Sequence, residues 1–173
     1  MSSTSLISSR PLLPETRGQN AALIGIAAAA TLAGAWIFQA FGIVPCELCL
    51  KQRIAYYGAV PLAAILTYAA TTRGQAVVAA GLLGLALIFA VNAGLGVYHS
   101  GVEWALWNGP ADCTGSLTAA PKVADFLKEL EHVKVVRCDE VQIRILGLSL
   151  ANLNVLISAA LAALAARAAF LKA

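Results

Sequence analysis

Charged residues are scarce in this sequence. Of its 173 residues only 12% are Asp, Glu, Lys or Arg, whereas 60% are apolar. A soluble domain usually has about a quarter of its residues charged, because they must cover its surface. The composition also excludes a disordered chain, a coiled coil and collagen, and the net charge of +3 is too small to indicate a nucleic acid as partner. The shortage of charge therefore predicts a protein that lies in a lipid bilayer.

Four stretches contain no charged residue at all, and together they make up half of the chain. They are residues 21–44, 54–70, 76–98 and 145–166. A helix rises about 1.5 Å per residue, so about 20 residues cross a hydrocarbon core of roughly 30 Å. A single stretch of this kind could be a buried helix of a soluble protein, but four of them leave too few charges for a polar surface. We therefore predict an all-α integral membrane four-helix bundle.

The predicted domain organisation is simple. Residues 1–20 are expected to be a polar N-terminal tail, and residues 21–170 a single four-span membrane domain. The first stretch could instead be a cleaved signal sequence, because Arg10 and Arg17 precede it. Its apolar residues continue to Val44, which is long for a signal core and favours an uncleaved span. An even number of spans places both termini on one side of the membrane.

The connections between the spans differ in length. Residues 45–53 form a short connection, and residues 99–144 form a long loop on the same side of the membrane. Within the long loop, residues 123–136 place apolar side chains on one helical face and charged side chains elsewhere. This pattern predicts a short helix that lies on the membrane surface.

Cysteine is also rare, and none of the four cysteines lies within an apolar stretch. Cys46 and Cys49 form a Cys-Glu-Leu-Cys sequence in the short connection, while Cys113 and Cys138 lie in the long loop. An even number of cysteines on one side, outside the lipid, indicates two disulfides or one metal site. A structural zinc site usually has two Cys-x-x-Cys knuckles or a paired-histidine motif, and neither is present. We therefore expect redox chemistry and no metal.

The redox interpretation also gives the orientation, which the Lys and Arg distribution leaves undecided. Disulfides persist outside the cytosol, so the cysteines are expected outside and both termini in the cytoplasm. A bridge between Cys46 and Cys49 would close too small a loop to constrain the unfolded chain much, which favours electron transfer over bracing. Two alternatives remain: a membrane scaffold whose bridges brace its outer loop, and a conduit that delivers reductant outward. A conduit would be expected to have cysteines within its spans.

Arg53 follows Cys49 by four residues, which is one helical turn. Its guanidinium is expected at the membrane interface, where it could favour a Cys49 thiolate and donate hydrogen bonds to a carbonyl ligand that arrives from the lipid. An interfacial anchor explains the same arginine, so the spacing leaves both roles open. Asn92, Asn152 and Asn154 are polar residues inside the apolar stretches, and we expect them to form hydrogen bonds between helices.

Several motifs together resemble one known family. They are the Cys-x-x-Cys followed by Gln52-Arg53, a Tyr-His-Ser-Gly-Val-Glu-Trp sequence at the end of the third stretch, and a Gly-Pro-Ala-Asp-Cys-Thr-Gly sequence followed by a lone cysteine. In this order, and with four spans, they resemble the bacterial disulfide bond formation protein B (DsbB) family. The resemblance covers roughly residues 20–170 and is specific, because topology, all four cysteines and the arginine agree in order.

The resemblance implies a protein dithiol:quinone oxidoreductase of the bacterial inner membrane, with cytoplasmic termini and periplasmic cysteines. Such a protein reoxidises a periplasmic thioredoxin-fold dithiol oxidase of the DsbA type. It passes the electrons to a membrane quinone, ubiquinone or menaquinone, and thereby supports disulfide formation in exported proteins.

Site residues follow from the same resemblance. Cys113 and Cys138 would be the pair that meets the DsbA-type partner, and Cys46 and Cys49 the pair that meets the quinone. Residues 110–114 would enter the peptide groove of the partner. Arg53 matches the arginine of the quinone site, and His99 matches a histidine that lies near the quinone. Glu47, between the first two cysteines, departs from expectation because an anion there opposes thiolate formation.

Overall fold

Four long helices form the bundle seen in the computed structural model, which describes residues 14–110 and 137–171. They are α1 (Arg17–Ala40), α2 (Glu47–Thr72), α3 (Gln75–Glu103) and α4 (Leu150–Ala169). Each is long and apolar enough to cross a membrane. The predicted all-α membrane bundle is therefore confirmed. The predicted surface helix at 123–136 and Cys113 lie outside the described residues.

Side-chain caps determine where the helices begin. Thr16 and Gln19 form a capping box at the start of α1. Cys46 caps α2, since its Sγ accepts a hydrogen bond from the backbone N–H of Cys49 at 3.3 Å. Because of this cap, α2 begins well before residue 54, where its uncharged stretch starts. The Cys-x-x-Cys sequence is thus part of the first turn of a membrane helix.

A small hairpin precedes the last helix. Strands β1 (Arg144–Ile145) and β2 (Leu148–Ser149) pair in antiparallel fashion, with Arg144 opposite Ser149. The two turn residues, Leu146 and Gly147, both have positive φ values of 52° and 84°, as a two-residue type I′ turn requires. Residue 145, where the fourth uncharged stretch begins, therefore lies in the hairpin, and α4 starts at Leu150 after the Ser149 cap.

Small residues bring the helices close together. A Cβ on Gly25 of α1 would lie 3.1 Å from Cβ of Ala63 on α2, and a Cβ on Gly96 of α3 would lie 2.8 Å from Cγ2 of Val155 on α4. Helices in lipid associate through such close packing, because hydrophobic burial gives them little drive to associate. The buried core between the helices consists largely of Ala and Leu side chains together with Phe89.

Arg17 connects three chain segments at one end of the bundle. Its guanidinium donates hydrogen bonds to the carbonyl oxygens of Gln75 at 3.0 Å, Ala169 at 3.2 Å and Leu171 at 2.6 Å. The start of α1, the start of α3 and the end of α4 therefore meet there. The start of α2, the end of α3 and the hairpin lie at the opposite end, which is where the functional residues converge.

Candidate active site

The two cysteines at the start of α2 form a close dithiol. Their Sγ atoms lie 3.0 Å apart, and both thiols are free. Cys46 is 5% exposed and Cys49 is half-buried. The hydrogen bond between the two thiols, assisted by the nearby His99, lowers the pKa of Cys46 to about 4 although burial opposes this. The first cysteine of the pair is therefore held ready as a thiolate, and a small movement would join the two sulfurs.

His99, at the end of α3, packs directly against this dithiol. Its Nε2 lies 3.6 Å from Sγ of Cys46, and its Nδ1 lies 2.8 Å from the side-chain amide of Gln52. Glu103, one turn further along α3, places Oε1 4.0 Å from the same Nε2. The Ser149 hydroxyl donates a hydrogen bond to the other oxygen of Glu103. His99 is thus a direct neighbour of a sulfur, and Cys46, Gln52 and Glu103 surround its ring.

Sequence reasoning gave no role to Gln52 or Glu103. Gln52 belongs to the motif that follows the Cys-x-x-Cys, and Glu103 belongs to the Tyr-His-Ser-Gly-Val-Glu-Trp sequence that contains His99. Their helical spacing carried a signal: Gln52 lies three residues after Cys49, and Glu103 lies four residues after His99. Residues at these distances share a helical face.

Arg53 is held across the gap between α1 and α2. Its guanidinium donates hydrogen bonds to Oε1 of Gln39 at 2.8 Å and to the carbonyl oxygen of Ala35 at 3.2 Å. Arg53 also lines the same cavity as Cys46 and Cys49. The structure therefore places the arginine beside the dithiol, in an orientation fixed by α1.

A cavity of about 290 Å³ opens beside the dithiol. Side chains from all four helices and from the segment before the hairpin line it, and most of them are apolar. A few polar groups converge on it, among them Arg53, His99, Tyr56 and Asn154. In the described part of the chain, Nδ2 of Asn154 is buried, has no hydrogen-bond partner and lies toward Gly96 of α3. An apolar cavity with an arginine on its wall fits a flat apolar ring that carries carbonyl groups.

Polar residues between the helices form a network below this cavity. The Tyr56 hydroxyl donates to Oδ1 of Asn154 at 2.7 Å, and Nδ2 of Asn92 donates to Oγ of Ser158 at 3.0 Å. These bonds connect α2, α3 and α4 within the apolar core. The expected interhelical hydrogen bonding is therefore confirmed for Asn92 and Asn154.

Cys138 lies beside the dithiol. It is 2% exposed and belongs to a small buried cluster with Cys46, Leu48 and Val102. Cys138 is disulfide-bonded, and its partner lies outside the described residues. Next to it, the Arg137 guanidinium lowers the pKa of the exposed Asp139 carboxyl through a hydrogen-bonded ion pair.

Comparison with known proteins agrees with this arrangement. A family model described as "Disulfide bond formation protein DsbB" matches residues 18–168. The chain belongs to the DsbB family. No curated protein and no solved structure gives a significant match. As a DsbB-family member it is a membrane protein of disulfide bond formation and a disulfide-forming oxidoreductase, in a family that is generally linked to quinones.

The same group of side chains could in principle hold a metal ion. The sulfurs of Cys46 and Cys49 and a ring nitrogen of His99 lie within 4.8 Å of one another. A closed structural zinc site needs four ligands, and no fourth His, Cys, Asp or Glu joins this group among the described residues. A pair of cysteines that changes between dithiol and disulfide, as expected in the DsbB family, explains the two sulfurs. We therefore assign no metal to them.

Proposed function

We propose that this DsbB-family protein is a protein dithiol:quinone oxidoreductase that reoxidises a DsbA-type thioredoxin-fold protein. The observation that carries the proposal is the position of the Cys46–Cys49 dithiol. It lines an apolar cavity that Arg53 also lines, and Cys46 belongs to the same buried cluster as Cys138. The dithiol thus lies between a site suited to a lipid-soluble ring and a cysteine that belongs to the long loop.

Two cysteine pairs are required because the two substrates occupy different phases. A water-soluble partner reaches only the loop, where Cys113 and Cys138 are proposed to meet it. A quinone stays in the lipid and reaches only the membrane edge, where Cys46 and Cys49 lie. Thiol–disulfide exchange transfers the electrons between the pairs through mixed disulfides.

The proposed exchange begins when a partner thiolate attacks Cys113 and releases Cys138. Cys138 then attacks Cys46, and the bond between Cys46 and Cys49 breaks. The presence of Cys138 and Cys46 in one small buried cluster supports this step. Completion of the exchange leaves the partner oxidised and the Cys46–Cys49 pair reduced, with a disulfide again between Cys113 and Cys138.

Reoxidation of the dithiol needs a strong electron acceptor. A DsbA-type protein is itself strongly oxidising, at about −120 mV, so most cysteine pairs cannot oxidise it. A bound quinone supplies the drive by taking two electrons and two protons and becoming the quinol. In the cavity, Arg53 is the donor that would orient a carbonyl oxygen of the quinone.

The proposed location is the bacterial inner membrane, with the cysteine end of the bundle in the periplasm and both termini in the cytoplasm. Residues 1–20 would then be a cytoplasmic tail and residues 21–170 one membrane domain. Support comes from the Arg17 contacts, which gather the start of α1 and the end of α4 at the end of the bundle far from the cysteines. A disulfide at Cys138 would persist only outside a reducing cytosol.

The direct test is an assay with purified protein, a reduced DsbA-type partner and a short-chain ubiquinone or menaquinone. We expect one quinol to form for each partner disulfide, and Cys49→Ser to abolish quinol formation. Thr67→Val is the matched control, because Thr67 lies on the same helix and donates only within it, to Ala63, among the bonds of the described residues. Absence of quinone-dependent thiol oxidation with all four cysteines intact would refute the proposal.

A further inference from the structure

Gln52 is a buried polar side chain to which the proposed electron transfer gives no role. It is 5% exposed and lies in the first turns of α2. Burial of an amide costs free energy unless the amide is hydrogen-bonded. Its Nε2 lies 2.8 Å from Nδ1 of His99, so the amide is committed to this ring.

The bond to Gln52 determines which way the His99 ring faces. Because the amide N–H donates to Nδ1, the neutral ring carries its proton on Nε2, which points toward Cys46, whose Sγ is 3.6 Å away. A hydrogen-bond donor beside a sulfur favours the thiolate over the thiol. Here His99 is that donor, and Gln52 orients it.

We propose that Gln52 is a positioning residue: its amide N–H donates to Nδ1 of His99, which keeps the ring proton on Nε2, where it donates a hydrogen bond to the thiolate of Cys46. This inference rests on the proposed function, because the thiolate is the form of Cys46 that is oxidised. In the complete reaction the dithiol loses two protons and two electrons as one bond forms between Cys46 and Cys49. The quinone takes up two protons and two electrons and becomes the quinol, while His99 keeps its own proton.

Other charged and titratable groups around His99 are compatible with this role. On its own helix, the Glu103 carboxylate lies 4.0 Å from Nε2, so it also faces the ring proton there. From α2, the same cavity receives Arg53, Cys49 and Tyr56, and from the segment before the hairpin it receives Arg137 and Glu140. The residues of α1 and α4 that line the cavity carry no charge. Among the described residues, Glu103 is the one whose carboxylate lies within 4.0 Å of a nitrogen of the ring.

The first test measures thiolate formation in the reduced protein without partner or quinone. In a Cys113→Ser, Cys138→Ser background, the ultraviolet absorbance of the thiolate reports only on Cys46 and Cys49. We expect Gln52→Leu to move the midpoint of the first ionisation upward by about one pH unit or more, because the ring no longer stays aligned with the sulfur. Thr67→Val should leave the midpoint unchanged. An unchanged midpoint in Gln52→Leu would overturn the inference.

The second test observes His99 itself and remains informative if Gln52→Leu folds poorly. The chain has two histidines, so ¹⁵N-histidine labelling with His132→Asn leaves a single signal. Gln52→Glu should fix the proton on Nδ1, because a carboxylate only accepts hydrogen bonds, whereas Gln52→Leu should mix both tautomers. An identical tautomer pattern in wild-type protein and Gln52→Glu would contradict the proposed contact. Both tests omit the quinone, so their failure is distinguishable from failure of the proposed function.

Discussion

Cys138 and Cys46 belong to one small buried cluster, although the two residues lie in different connections of the chain. Gln142 helps to hold this arrangement, because its side-chain amide donates a hydrogen bond to the carbonyl oxygen of Val44 at 2.7 Å. The loop segment that carries Cys138 is therefore docked on the residues that precede the dithiol. This docking has consequences for the rate of exchange between the two cysteine pairs.

Gln142→Ala should slow the transfer of electrons from the loop cysteines to the Cys46–Cys49 pair. One net hydrogen bond is worth about 0.5–1.5 kcal/mol, so a loss of up to about tenfold in the exchange rate is expected. Rapid acid quenching and gel separation of the mixed disulfides would measure this rate. Thr71→Ala, an exposed polar change at the far end of α2, is the control. An unaltered rate in Gln142→Ala would show that the docking does not limit exchange.

Arg53→Ala should raise the apparent KM for quinone and leave formation of the mixed disulfide at Cys113 unchanged. The guanidinium is fixed by Gln39 and Ala35 at the cavity wall, where it is placed for a carbonyl ligand. Steady-state kinetics with varied quinone, alongside trapping of the mixed disulfide, would separate the two effects. Gln39→Ala should give a smaller rise in KM, since it removes only one of the two bonds. Equal loss of both activities would mean that Arg53 is structural.

Acidification should weaken the fold of the reduced protein more than that of the oxidised protein. The pKa of Cys46 is lowered to about 4, mainly through the bond with Cys49, whereas an unfolded thiol has its ordinary higher pKa. A group with a lowered pKa in the folded state contributes stability that is complete above the unfolded pKa and is lost as pH falls toward the folded pKa. Thermal unfolding of both redox forms between about pH 4 and pH 9 would measure this. The oxidised form is the control, because a Cys46–Cys49 disulfide does not titrate there. A difference in Tm that does not change with pH would contradict the lowered pKa.

Gly96→Val should destabilise the bundle by about 1–3 kcal/mol through overpacking. The added side chain would meet Cγ2 of Val155 at 2.8 Å and Nδ2 of Asn154 at 3.2 Å from its Cβ. Gly84→Val is the matched control on the same helix, because a Cβ at Gly84 meets nothing within 4 Å. Unfolding in mixed micelles would give both values. If the two variants lost the same stability, helix propensity and not packing would be responsible.

Particular residues show how far the sequence could predict this site. The four uncharged stretches predicted the bundle because hydrophobicity over about 20 residues is a local property. The spacing of Cys49 and Arg53 by one helical turn predicted that the guanidinium would lie close to the thiol, and both side chains line the cavity. The sequence did not predict the start of α2, because the Cys46 cap depends on one side-chain hydrogen bond. The hairpin at residues 144–149 was not predicted either, because residues 145–149 are uncharged and continue directly into the last predicted span.

From its sequence alone, this chain has four stretches apolar enough to cross a membrane, four cysteines outside those stretches, and the motifs of the DsbB family. Helix packing brings His99 against Cys46, places Gln52 and Glu103 around its ring, and gathers Cys138 and Cys46 in one buried cluster. Hydropathy and motif spacing act along one chain segment. Contacts between α2, α3 and the loop depend instead on how helices are rotated and packed, which no single segment specifies.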